Sequence, residues 1–395
     1  MPGARPAAEP PAIPADEPAS APWSPAWIAG HLDAVLDMAD AALAAGGWDV
    51  EKRLKLVSET ALLLRLVIGG ARSPGLVRRA RRQALALAAE ARSSRVLAMA
   101  AARPSAAAEL AAAHAALSDV GLRDEPFGAR IAELLADPSS WGVERTPWKE
   151  LEQEWLRARL EASPAVDGDG AGGRPLAAAE LALPLTSWAR GLDVLASERR
   201  ELYAFTHALL YATSFGERPA PPPRPVAAIL EDAEAAIARS LADRDHDLAA
   251  ELLLAFPYTR TPWSPAALVA LERMRLAVQG SGILPPLGFS AEAHAAMAPR
   301  AGDAYLIRES YHTQYVWGFL LASMSLPGVG APGGSPPGDA VAAMDRDGAL
   351  WVAVRDDALA DAARLLIERP VPDTPLSRRI VALLGRLARS VPSIT

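Results

Sequence analysis

The 395-residue sequence predicts an all-α protein with more than a dozen helices. Apolar residues recur with a period close to 3.6 through most of the chain, which is typical of amphipathic helices. Glycine and proline interrupt nearly every gap between these segments, and the alternating pattern of half-buried strands is almost absent. Only residues 350–354 (LWVAV) fit a strand as well as a helix.

The helices follow one another with little else between them. In the first, WIAGHLDAVLDMADAAL, apolar side chains fall at Ile28, Leu32, Val35 and Leu36, on one face of a helix. Similar patterns predict helices near residues 50–69, 74–92, 104–118, 147–161, 176–193, 196–213, 225–241, 246–256, 264–279, 302–325, 349–368 and 376–390.

A weak internal repeat favours an array or toroid of α/α helical hairpins. PWSPAWIAGHL, TPWKELEQEWL and TPWSPAALVALERM contain Trp23, Trp148 and Trp263, which lie 125 and 115 residues apart. In the second and third copies, Thr146 and Thr261 are predicted N-caps, because each precedes a proline suited to a first helical turn.

Composition divides the chain into four predicted parts. Residues 1–22 are rich in proline and alanine, and we expect a disordered tail. Residues 23–162 form an N-terminal helical region, 163–175 (SPAVDGDGAGGRP) a flexible loop, and 176–395 a C-terminal helical region. The two helical regions could equally form one continuous domain.

Charge and composition exclude several classes of protein. The net charge of −7 argues against a nucleic-acid binder, and the absence of cysteine excludes disulfides and thiolate metal sites. No apolar run is long enough to span a membrane, and the N-terminus lacks the apolar core of a secretory signal. We therefore expect a cytoplasmic protein; its oligomeric state is not predicted.

Two aromatic helices hold most of the tyrosine and phenylalanine. Tyr203, His207, Tyr211 and Phe215 are spaced by four residues and share one ridge, and Gly216 fits the end of that helix. The alternative to a functional site is an aromatic core stripe with a hydrogen-bonded histidine.

The second aromatic helix, YLIRESYHTQYVWGF, combines Tyr311, Tyr315 and Phe319 with His312. Glu309 and His312 form one Glu-x-x-His pair, whereas carboxylate-bridged di-metal bundles need that motif twice. A di-iron bundle is therefore not the predicted site.

Between these helices, Asp247 and Glu251 lie four residues apart, so both carboxylates share one helix face. Glu251 precedes the apolar LLLAF, and a buried carboxylate needs a cation, a metal or a histidine. The alternative is that Asp245 and Asp247 cap the helix N-terminus, favoured by its dipole, and that Glu251 is a surface residue.

These segments resemble a family of all-helical bacterial proteins from high-GC organisms, often encoded near specialised-metabolite genes and without an established activity. The resemblance rests on RTP at 145–147, THALLYATSFG at 206–216, DLAAELL at 247–253 and YHT at 311–313, about half of the chain. Ser214 stands where the family pattern has aspartate before Phe-Gly, which removes a potential acid or ligand there. The resemblance implies a biosynthetic setting.

The sequence therefore predicts an enzyme that modifies a small-molecule or peptide substrate in an aromatic-walled helical cavity. A divalent ion, zinc or iron, would be bound by His207, Asp247, Glu251 and His312. Catalytic groups would be His207, Tyr211, Tyr311 and His312, with the tyrosines as hydrogen-bond partners or proton donors. Without metal, the same residues suit general acid–base catalysis.

Two other functions remain open. A non-catalytic helical-repeat scaffold would bind a peptide or protein and expose its aromatic residues on a concave surface. An isoprenoid cyclase would use Asp247 as its acid and aromatic rings to steer a cation. The clustering of rings, imidazoles and carboxylates within 203–319 favours an enclosed pocket over a scaffold.

Overall fold

The computed structural model describes residues 22–160, 182–218, 222–326, 330–333, 335–368 and 373–390, and all its regular elements are helical. The predicted fold class is confirmed. The N-terminal helices are α1 (Pro25–Ala44), α2 (Val50–Gly70), α3 (Pro74–Ala91), α4 (Ser94–Ala102), α5 (Ala107–Leu110), α6 (Ala112–Asp119), α7 (Glu125–Ala136) and α8 (Pro147–Leu160).

The remaining helices continue from residue 187 to residue 390. They are α9 (Ser187–Arg190), α10 (Arg199–Ala212), α11 (Val226–Ala242), α12 (His246–Leu253), α13 (Ala255–Tyr258), α14 (Pro265–Ser281), α15 (Ala291–Ala295), α16 (Pro299–Ser323), α17 (Gly338–Arg355), α18 (Leu359–Glu368) and α19 (Pro375–Ser390). Short 3₁₀ helices cover Pro104–Ala106, Pro138–Trp141 and Leu183–Leu185.

Some helix boundaries differ from those predicted. The periodicity missed α4, α7 and α15, which are short or lie close to proline. The single helix predicted near 349–368 is two helices, because the chain turns at Asp357, whose φ is 58°. The ambiguous 350–354 segment is helical and belongs to α17.

The N-cap predicted at Thr261 was wrong. Helix α14 begins at Pro265, and Ser264 caps it by accepting a hydrogen bond from the Ala267 N–H. Ser264-Pro265 satisfies the same preference as Thr261-Pro262, an N-cap residue followed by proline in the first turn. The helix begins at the second of these two pairs. The prediction at Thr146 fits, since α8 begins at Pro147.

Helix α16 packs against the N-terminal helices α1 and α2 and against α12. Its closest approach is at Gly318, where an added Cβ would lie 2.8 Å from Leu63 Cδ1 and 2.9 Å from Val35 Cγ1. A residue without a side chain is needed for this contact. The contact holds α2 against α16, the helices that carry Glu59 and His312.

Helices α10 and α12 complete the surroundings of that site. Helix α8 packs on α10, while α12 packs on both α11 and α16. Side chains from α2, α8, α10, α12 and α16 therefore face a common space. The more specific prediction of a toroid of hairpins stays a prediction.

Two predicted segments lie outside the described residues: nearly all of the 1–22 tail and the whole 163–175 loop. The division into N- and C-terminal regions remains a prediction. Among the helices of the described ranges, none combines the length and the apolar character needed to cross a bilayer.

Candidate metal centre in an aromatic cleft

The helices enclose a cleft of about 720 Å³. More than half of its lining residues are apolar or aromatic, and the aromatic ones include Trp148, Trp155, Tyr203, Tyr211, Phe215 and Phe319. Its mouth is marked by exposed charged side chains, since Glu51 is 79% exposed and Arg103 is 53% exposed. The size and lining are those of a small-molecule site.

A carboxylate–carboxylate–imidazole cluster borders the cleft, and two of its three residues, Glu251 and His312, line the wall. Asp247 and Glu251 come from α12 and His312 comes from α16, and one potential ligand atom of each lies within 4.8 Å of the others. Both carboxylates are 3% exposed. We call these three residues the triad; they could hold one divalent ion.

Helix α12 presents the two carboxylates because of its start and its period. Asp245 caps the helix by accepting a hydrogen bond from the Leu248 N–H, and the Arg199 guanidinium binds Asp245 through two contacts of 2.5 and 3.0 Å. One helical turn separates Asp247 from Glu251, so both point towards α10 and α16. The sequence-based expectation of a shared face is thus met.

His312 lies between two carboxylates. Its Nδ1 is 3.1 Å from Glu59 Oε1, and its Nε2 is 3.6 Å from Asp247 Oδ2. Burial lowers the pKa of this imidazole, but the charges of Glu59 and Asp247 outweigh burial and raise the pKa to about 10. Burial in turn raises the pKa of Glu59, and the opposing charge of His312 brings it below its usual value.

Asp247 has partners on one carboxylate oxygen only. Tyr203 donates a hydrogen bond to Oδ2, and Arg199 lies 3.7 Å from the same atom. Oδ1 is buried and has no hydrogen-bond partner. Buried polar atoms are nearly always paired in native proteins, so this oxygen marks a place for a further group.

Glu251 is held by α10. Thr206 donates a hydrogen bond of 2.5 Å to Oε2, and His207 Nδ1 lies 3.6 Å from that oxygen. Burial raises the pKa of Glu251, His207 lowers it, and the neighbouring charge of Asp247 raises it further, with a net increase. Glu251 therefore carries a proton more readily than an ordinary glutamate.

His207 stands beside the triad rather than within it. Its Nδ1 donates to the Tyr203 carbonyl at 2.9 Å, one helical turn back, and its ring packs against Trp148 at 4.8 Å between centroids. Of the four predicted metal ligands, the cluster thus combines Asp247, Glu251 and His312 but not His207.

The predicted catalytic tyrosines lie in different surroundings. Tyr211 lines the cleft and donates a hydrogen bond of 2.6 Å to Glu152, which also binds Lys149. Burial and the charge of Glu152 raise the pKa of Tyr211 well above its ordinary value, so its hydroxyl keeps its proton.

Tyr311 does not line the cleft. Its ring packs edge-on against Trp48 at 5.4 Å and Tyr315 at 5.6 Å. Burial raises its pKa, and the charges of Glu59 and Asp247 raise it further. Adjacent helical residues point about 100° apart. Here His312 points into the cleft, while Tyr311 points towards Trp48 and Tyr315.

The end of α10 shapes the inner wall. Ser214, Phe215 and Gly216 have φ values of 53°, 57° and 78°, and a Cβ on Gly216 would lie 2.5 Å from the Tyr258 ring. Glycine is required there, as predicted for the helix end. Ser214 accepts hydrogen bonds from Trp155 and Arg159 and lies outside the triad.

Sequence inspection missed Glu59, the acidic partner of His312. The available signal was a lone carboxylate in the apolar stretch KLVSETALLLRLV, next to the buried Thr60. A single acidic residue on a largely apolar helix face needs a buried partner. That partner belongs to α16, far away in sequence.

Comparison with known families places this site within a shared domain. Residues 24–322 match the model of a family described as a domain of unknown function, DUF6895. The chain belongs to the DUF6895 family. All three triad residues and Glu59 fall within the DUF6895 domain, whereas α17, α18 and α19 follow it. The search of curated proteins gave no match, and neither did the search of solved structures.

Proposed function

We propose that this DUF6895 protein is a metal-dependent enzyme whose active site is the cleft, with Asp247, Glu251 and His312 as the ligands of one divalent ion. The observation that carries the proposal is the triad of two buried carboxylates and one half-buried imidazole, with ligand atoms within 4.8 Å, beside a cleft large enough for a substrate. Two carboxylates and an imidazole suit zinc or iron.

The unpaired Asp247 Oδ1 supports the ion. A bound ion would supply a partner for that oxygen and offset the repulsion between two buried carboxylates. Glu59 Oε1, 3.1 Å from His312 Nδ1, would attract this side of the imidazole and leave Nε2 for the ion, as carboxylates beside metal-binding histidines commonly do. The carboxylates of Asp247 and Glu251 and the imidazole of His312 therefore fit a divalent ion.

Such an ion would act as a Lewis acid or lower the pKa of bound water. The chain's own groups would move the protons. His207, whose Nδ1 is fixed by the Tyr203 carbonyl, would act as acid or base beside Glu251. Tyr211 keeps its proton and donates a hydrogen bond to Glu152, so it would offer the substrate its hydroxyl oxygen as a hydrogen-bond acceptor. Tyr311, which packs outside the cleft, would have only an indirect part.

The substrate class proposed from the family resemblance is a specialised metabolite, as a free small molecule or a peptide. The enclosure of aromatic rings with charged groups in one cleft favours an enzyme over a binding scaffold, which would expose such rings. Metal-free acid–base catalysis is the second candidate, since the raised pKa of Glu251 suits a proton donor and points to Glu251 rather than to Asp247.

Elemental analysis of untagged protein tests the proposal. We expect close to one equivalent of zinc or iron in the wild type and in His207→Ala, and near-complete loss in His312→Ala and Asp247→Asn. His294→Ala, which removes a histidine outside the cleft, is the matched control and should keep the metal.

Circular dichroism of each variant would establish that it is folded. If the wild-type protein holds no metal after it has been reloaded with zinc and desalted, the metal centre is refuted and acid–base catalysis remains. Retention of the metal by a folded His312→Ala variant would refute the triad as its ligands.

A further inference from the structure

The charged groups of the cleft wall neutralise one another. Lys149 Nζ lies 2.5 Å from Glu152 and 3.6 Å from Glu109, and at the mouth Arg103 lies 3.4 Å from Glu51. A charge already paired across a short distance attracts a ligand charge only weakly, because binding must then break or crowd the existing pair.

The charged side chains near the triad are paired in the same way. Lys55 lies 3.5 Å from Glu59, which also faces His312, and Arg199 binds Asp245 through two contacts. Among the described lining residues, the buried polar atoms without a hydrogen-bond partner are Glu59 Oε2 and His312 Nδ1, and Asp247 Oδ1 of the triad has none either. Unsatisfied polarity is thus concentrated at one end of the cleft.

The rest of the wall is apolar and built of rings. Trp148 is fixed from two sides, by the Lys149 ammonium at 4.7 Å from its ring and by the His207 ring at 4.8 Å. Phe215 and Phe319 pack edge-on at 6.4 Å further inside. Rigid aromatic faces recognise flat or apolar groups with little loss of conformational entropy.

From these observations we propose that the cleft takes a neutral, largely apolar, ring-containing small molecule with its single polar group at the triad end. This inference rests on the proposed function, because it assigns the substrate class of the same site. A charged ligand would lose its hydration in a wall whose charges are already matched, and a neutral one would not.

Two fluorescent probes of nearly the same shape test this directly. N-phenyl-naphthylamine is neutral, and anilinonaphthalene sulfonate carries one negative charge. We expect the neutral probe to bind one site at least about tenfold more tightly than the sulfonate, a difference of about 1.4 kcal/mol. Naphthylmethylamine, a cation, should compete no better than the sulfonate.

Variants locate the probe and test the charge argument. Ala106→Trp narrows the cleft and should weaken binding of the neutral probe about tenfold, whereas Ala295→Trp, outside the cleft, should leave it unchanged. Glu152→Gln leaves Lys149 only one carboxylate and should selectively improve binding of the sulfonate. Glu133→Gln, an exposed carboxylate on α7, is its control and should change neither probe.

Three results would overturn the inference: equal or tighter binding of either charged probe by the wild type, no binding of the neutral probe, or binding that Ala106→Trp does not affect. Elemental analysis of the same samples separates this inference from the proposed function. Protein that binds the neutral probe but no metal refutes the metal centre alone. Protein that holds metal but prefers a charged probe refutes the substrate class alone.

Discussion

The ion pair between His312 and the carboxylates on either side of it should make stability fall in mild alkali. The folded-state pKa of His312 is about 10, against about 6.5 for an unfolded histidine. A group whose pKa is raised on folding stabilises the protein fully below its unfolded pKa and loses that contribution as the pH rises through the folded pKa. The sensitive window therefore runs from about pH 6.5 to pH 10.

The size of the effect follows from the shift. One pKa unit corresponds to about 1.36 kcal/mol, so raising the pH from 7 to 9 removes at most about 2.5 kcal/mol of stability. The His312 side chain is 31% exposed, and solvent screening reduces this figure. We expect a loss of about 1.5 kcal/mol that His312→Gln does not share.

Urea unfolding at pH 7, 8 and 9 would measure this loss of stability, with a chelator present to keep the protein free of metal. The informative quantity is the difference in free energy of unfolding between the wild type and His312→Gln at each pH. Titrating groups that do not interact with His312 contribute equally to both proteins and cancel. A difference that stays constant from pH 7 to pH 9 would refute a protonated His312 held between Glu59 and Asp247.

Three further predictions concern other parts of the fold and site. Burial and the neighbouring Arg92 guanidinium lower the pKa of His114 to about 4, so this imidazole resists protonation in the folded protein. Between pH 7 and pH 5 the wild type should therefore lose about 2 kcal/mol more of its free energy of unfolding than His114→Gln does. Urea unfolding would measure both proteins, and equal losses would contradict the prediction. Gly216→Ala should destabilise the protein by about 2–4 kcal/mol, because φ at this residue is 78° and the new Cβ would meet the ring of Tyr258. Gly280→Ala, where the new Cβ would have open space, should be neutral or stabilising by up to about 1 kcal/mol. Similar urea unfolding midpoints for the two variants would contradict this difference. Tyr203→Phe should weaken zinc binding about tenfold in calorimetric titration, because it removes the hydrogen-bond donor to Asp247. Tyr211→Phe, which removes a donor to Glu152 instead, should leave zinc binding unchanged. Equal zinc affinities of the two variants would show that the Tyr203 hydroxyl does not orient Asp247.

Local spacing was enough to predict the helices and part of the site. The 3.6-residue period predicted the all-α class and the bounds of α2, α3 and α8 to within a residue or so. The same period placed Asp247 and Glu251 on one face of α12, because side chains one turn apart point the same way. These features depend only on the chain near each residue.

Choices between nearby start signals were less secure. Thr261-Pro262 and Ser264-Pro265 satisfy the same capping rule, and the sequence alone does not rank them. The division of 349–368 into two helices depends on a single left-handed residue, Asp357, which no apolar period reveals. Local rules thus fix that a helix exists better than where it begins.

Which residues meet was decided only by the tertiary structure. The sequence grouped His207 with His312, but α10 turns His207 towards Trp148, and α2 supplies Glu59 as the partner of His312 instead. That pairing depends on the close crossing of α2 and α16 at Gly318, a contact between segments at opposite ends of the domain. The periodicity of each helix specifies which of its faces is buried; the packing of all the faces together specifies which helices become neighbours, and hence the composition of the site.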